Sequence, residues 1–211
     1  SAQMSGDGFF LAGLTPQGKH VPCDDNAFEE NDGSYSPNIA FEATFSSGNT
    51  YRDNIANACN YGFWLGFSRH GMLEHNQMIG NRQAGIAVEN GFGFDVRDNV
   101  FQDNAHGVLL WSKHVPAFAR AVPDNDTSYD WTIEDNTFTG NRKAIRIAAD
   151  QDHGIRPLDP SGQWGQPAPR PHDHIIHRNT IKGSVVGIEL VDAEATALAE
   201  NQFHGNVHDV A

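Results

Sequence analysis

The sequence predicts an all-β solenoid in which each repeat forms one coil. Three observations carry this: an asparagine returning at a near-constant spacing, short apolar-polar alternations at fixed offsets from it, and no helix-period apolar stripe of useful length. The asparagines are Asn54, Asn76, Asn99, Asn136, Asn179 and Asn201, separated by 22, 23, 37, 43 and 22 residues. The unit is about 22 residues, and the two longer gaps mark insertions. The 211 residues then make one domain of about seven coils.

Within a coil, the first segment places one apolar residue ahead of the asparagine: Leu73, Val96, Ile133, Ile176 and Leu198. Asparagine hydrogen-bonds its own backbone and tolerates left-handed conformations, so a tight corner filled by stacked side-chain amides is expected here. The second segment follows two positions on, with Phe28, Met78, Phe101, Phe138, Ile181 and Phe203. Phe28 is counted from Asn26, which puts an extra stretch of about six residues before Asn38. A second asparagine column follows at Asn31, Asn81, Asn104, Asn141 and Asn206, and then a small residue: Gly62, Gly85, Gly107, Ala144 and Gly187.

The third segment starts after that small residue. Its first and third members are apolar, as in Phe63-Trp64-Leu65-Gly66 and Val108-Leu109-Leu110-Trp111, so they share one face of a strand. Phe63, Ile86, Val108, Ile145 and Ile188 are expected to stack inward. Asn38–Glu42 and Gly8–Ala12 read as earlier copies, with Ile39 in the place of Phe63. The repeat opens near Gly8 and closes near Asn206 without a capping helix, which predicts either a missing capping segment or end-to-end self-association.

Composition narrows the partners. The net charge of −13 argues against nucleic acid, since phosphate binding needs a basic face. No stretch approaches a membrane span. Cys23 and Cys59 fall at different corners of the coil, so no disulfide is expected.

Both long insertions, about 113–130 and 151–173, leave from the corner after the third segment. They hold many prolines together with groups such as Lys113, His114 and His153, and long loops on a rigid scaffold often carry function. The outward positions of the third segment read Phe10, Ala40, Trp64, Ala87, Leu109, Arg146, Glu189 and Ala12, Glu42, Gly66, Glu89, Trp111, Ala148, Val191. Trp64 and Trp111 suggest platforms for pyranose rings, with Arg146, Arg69, Lys113, His114 and His153 as further substrate contacts. Glu42 and Glu89 are expected to share a column two coils apart, with backbones about 10 Å from each other. That spacing suits an inverting glycosidase pair, whose carboxyls stand about 6.5–9.5 Å apart.

Other columns read as structural. Arg52, Glu74, Arg97, Glu134 and His177 alternate in charge from coil to coil, as neighbouring strands favour. His172, Asp173, His174 and His177 are a weak metal candidate, because residues 174 and 177 face opposite ways on a strand. Asp150-Gln151-Asp152-His153-Gly154 is a somewhat better loop for calcium or zinc; otherwise no cofactor is expected.

These repeats resemble the right-handed parallel β-helix of the pectate-lyase-like superfamily over residues 8–206. The resemblance implies a secreted or periplasmic protein that processes or binds a polysaccharide or oligosaccharide. Ala105-His106-Gly107 and Arg146-Ile147-Ala148 are similar to motifs of its polygalacturonase-like hydrolases, but the paired aspartates of that group have no counterpart. Pro171-His172-Asp173 is a fragment of the alginate-epimerase motif. Three readings follow: an inverting glycoside hydrolase using Glu42 and Glu89; a uronate lyase or C5-epimerase; a non-catalytic glycan-binding or assembly solenoid.

Overall fold

A computed structural model describes residues 1–149 and 169–211. The short segments form strands that pair only in parallel, coil upon coil, into three sheets of eight, seven and five strands. The fold is a right-handed parallel β-helix.

The corner between the seven- and five-stranded sheets holds the asparagine ladder. Asn31, Asn54, Asn76, Asn99, Asn136 and Asn179 each donate the backbone N–H to the next asparagine's Oδ1, at 2.9–3.1 Å. From Asn54 onward, Nδ2 donates to the same oxygen and to a carbonyl of the preceding coil. The left-handed residue at this corner is the one before the asparagine: Glu30, Asp53, His75, Asp98, Asp135, Arg178 and Glu200 all have φ of 52–55°. That conformation costs roughly 1 kcal/mol or more per L-residue. It turns the amide into the buried interior, where the ladder's bonds offset the cost. Asn31, not Asn26, is the first rung, since Phe28 pairs with Tyr51 and Asn26 donates to Asn49. The expected extra stretch before Asn38 is therefore absent, as 23 residues separate Asn31 from Asn54.

Inside, the eight-stranded sheet contributes the column Phe9, Phe41, Phe63, Ile86, Val108, Ile145, Ile188 and Val210. Phe9, Phe41 and Phe63 stack face to face at 4.9 Å, and Phe94 and Trp131 at 4.3 Å. Each buried ring adds roughly 2 kcal/mol or more of apolar transfer free energy. Cys23 and Cys59 are both free. The charge column has the expected pairing, with Glu74 held between Arg52 and Arg97, and Glu134 beside His177.

The first insertion folds back over earlier coils. Its helix, Pro116–Ala121, is flanked by buried Val115 and Val122, and Phe118 meets Phe45 and Phe67 edge-on at about 5 Å. Asn90 anchors its base by donating to the Lys113 and Asn125 carbonyls and accepting the Lys113 N–H. Of the second insertion, only residues 169–173 belong to the described part of the chain.

Candidate functional site on the outer face of the large sheet

The outer face of the eight-stranded sheet holds Glu42, Trp64, Glu89, Trp111 and Arg146 of the residues expected to form the site. Register places Phe10, Glu42, Trp64, Ala87, Leu109, Arg146 and Glu189 in one column. Gly66, Glu89, Trp111, Ala148 and Val191 continue along the strands beside it. A third outward column precedes each small residue: Tyr61, Ala84, His106 and Lys143. It exists because the alternation breaks at the small residue. A Cβ on Gly62 would meet Met78 and Ala56 inside the helix, and Phe63 next to it is also buried, so Tyr61 is left facing out.

This register corrects the expected carboxylate pair. Glu42 lies opposite Trp64, not in line with Gly66 and Glu89. The two glutamates are two coils and two strand residues apart, so their backbones are about 12 Å from each other. Glu89 also leans the other way. It is 8% exposed, its Oε2 accepts the Trp111 indole N–H at 3.2 Å, and Lys113 Nζ lies 3.7 Å from it.

Glu42 is half-buried between Phe10 on one coil and Trp64 on the next. Burial, and secondarily the negative charge of Asp7, push its carboxyl up to about 7. Trp64 is half-buried, edge-on to Tyr61 at 4.8 Å and to Trp111 at 5.4 Å. Gly66 makes room for it, since a Cβ there would stand 3.3 Å from the Trp64 Nε1. Trp111 is only 4% exposed and packs with Ala87 and Leu109, so it offers no open ring face and is not a stacking platform.

Further along, Lys143 and Arg146 converge on Glu189, with Lys143 Nζ at 2.7 Å. Beside them, His106 passes Nδ1 to the Gln83 carbonyl at 3.0 Å. Burial, and then the charges of Arg142, Lys143 and Arg146, lower its pKa to about 4, so its ring is neutral at pH 7. Arg69 is elsewhere, in the turn column with Phe92, Tyr129 and His172. His114 is half-buried at the start of the first insertion. His153 and the candidate calcium loop 150–154 lie outside the described residues.

The candidate histidine metal set does not assemble. His174 is fully buried, His177 pairs with Glu134, and His172 Nδ1 meets Asp173 at 2.7 Å. Among the described residues, no group of three or more His, Cys, Asp or Glu side chains could hold a metal ion. No helix among them is long and apolar enough to cross a membrane.

A family model described as periplasmic copper-binding protein (NosD) matches residues 6–121. Among solved structures, the chain is similar to the A-module of the mannuronan C-5 epimerase AlgE4 of Azotobacter vinelandii. That match has a TM-score of 0.60 and 14% identity, covering 89% of this chain and 56% of that one. The chain thus spans little more than half of the epimerase module. The surface protein and adhesin PfbA of Streptococcus pneumoniae matches with a TM-score of 0.47 and 10% identity, over 97% of this chain and 74% of that one. The alginate lyase of Paenibacillus sp. str. FPU-7 gives 0.44 and 9%, over 98% and 88%. At such identities the likeness is one of fold. No curated protein matches the sequence.

Proposed function

This chain belongs to the NosD family, and we propose that it is a carbohydrate-active protein that holds a polysaccharide along the outer face of its eight-stranded sheet and hydrolyses it, with Glu42 as proton donor. The observation that carries this reading is Glu42 itself. A carboxyl flanked by two aromatic residues on an outward face, with a pKa near 7, retains a proton to donate at neutral pH. Phe10 and Trp64 supply ring surface on which the apolar face of a pyranose can rest. Among the described residues no group of three or more His, Cys, Asp or Glu side chains fits the copper named for the family. The family description and the polysaccharide class of ligand also favour a home outside the cytoplasm.

The test is a glycan panel incubated with the wild type and Glu42→Gln, read by mass spectrometry and ultraviolet absorbance. Wild-type products that gain water, and none from Glu42→Gln, support hydrolysis. Full turnover by Glu42→Gln defeats it.

A uronate lyase or C5-epimerase is the second reading, favoured by the neutral His106 among Arg142, Lys143 and Arg146. Arg142, together with Lys143 and Arg146 once a substrate displaces Glu189 from them, would offset a uronate carboxylate while a neutral imidazole accepts the C5 proton. Mannuronan, in the name of the epimerase module, is a uronate polymer. Ultraviolet-absorbing products without added water, or a change of epimer, would select this reading. Binding without any product would select a non-catalytic glycan-binding solenoid.

A further inference from the structure

We propose that Asp7 is the second catalytic carboxylate of this face, the general base that works with Glu42; the assignment rests on the hydrolytic reading above. Asp7 opens the first strand of the large sheet and pairs in register with Ile39, while Phe10 pairs with Glu42. Asp7 and Glu42 are thus one coil apart and three residues along, a backbone separation of about 11 Å. From backbones at that distance the two side chains can reach carboxyl separations in the roughly 6.5–9.5 Å window that admits a water and a sugar ring. Glu89 is no nearer along the backbone, and its carboxylate is drawn away toward Trp111 and Lys113 on the far side.

The surroundings of Asp7 suit a base. It is exposed to water, and Asn38 Nδ2 donates to its Oδ1 at 2.8 Å, which orients the carboxylate. Phe10 stands at the same end of the face, 56% exposed, open to a sugar ring. Burial first, and then the negative charge of Asp7, raise the carboxyl that must keep its proton. The step balances. Water attacks the anomeric carbon as its proton passes to Asp7, the glycosidic C–O bond breaks, and the leaving oxygen takes the Glu42 proton. One water is added, the anomeric configuration inverts, and both carboxyls exchange protons with solvent to reset.

The experiment compares wild type, Asp7→Asn and Glu42→Gln on β-glucan, xylan and mannan, and follows the Glu42 carboxyl by carbon NMR titration in wild type and Asp7→Asn. The proposal expects Asp7→Asn to lower turnover about 100-fold or more and the Glu42 midpoint to fall below its wild-type value. Asp7→Asn at wild-type rate with Glu42→Gln inactive overturns the role of Asp7 and leaves the hydrolytic reading standing. Glu42→Gln at wild-type rate overturns the hydrolytic reading itself. An unmoved Glu42 midpoint in Asp7→Asn overturns the pairing, even if none of the three glycans is cleaved.

Discussion

Glu42 carries a proton where an exposed glutamate would not, because packing between outward aromatic residues removes water from it and Asp7 adds negative charge nearby. Two consequences follow from the sign of that shift. If the protonated carboxyl is the active form, turnover falls as pH rises through about 7, and a pH–rate profile will show that limb. Because the folded-state value lies above the unfolded one, the folded state loses stability from this group as pH rises from about 4.5 to about 7. Glu42→Gln, which cannot ionise, should therefore melt higher than the wild type at pH 8 and nearly level with it at pH 4. Thermal melts at the two pH values check this. The histidines act in the opposite sense. His174 and His106 are held neutral by burial, with values near 4. Their contribution is complete above about 6.5 and is lost as pH falls from there toward 4. His174→Phe should flatten the fall in melting temperature between pH 7 and 5. An unchanged slope would contradict the assignment.

At the scale of the element, the ladder and the insertion make separate predictions. Asn99 joins Asn76 to Asn136 with buried bonds on both sides. Asn99→Ala leaves the Asn76 donors without their acceptor and should cost about 3 kcal/mol or more, measured by denaturant unfolding. Phe118→Ala should instead loosen only the 113–125 segment. Hydrogen exchange there should speed up while exchange across the large sheet stays unchanged. The ladder was legible because its spacing is a hard geometric constraint: one asparagine per turn of coil. The register of Ile39–Thr44 was not. Aligning Ile39 with Phe63 in place of Phe41 shifts the strand by two residues, which leaves every side chain on the same face. A period-2 pattern cannot detect such a shift, yet it moves Glu42 from the column of Gly66 to that of Trp64. Asp7 and Tyr61 were missed for a related reason: the alternation breaks at the small residue, and strict periodicity turns them inward.

For the whole molecule, the solenoid separates stability from function. Asparagine corners, stacked rings and alternating charges hold the coils, and the outward face of one sheet is left to vary. Inward columns can be read from sequence because they must be apolar in every coil. The outward face carries no such rule, so Trp111 could not be distinguished from Trp64 until packing showed one buried and the other half-open. The central claim is that this face hydrolyses a polysaccharide through Glu42. The most direct test is mass spectrometry of a glycan panel treated with wild type and Glu42→Gln side by side. The wild type should release fragments that have gained water, and the variant none. Water-gaining fragments from both proteins would contradict it.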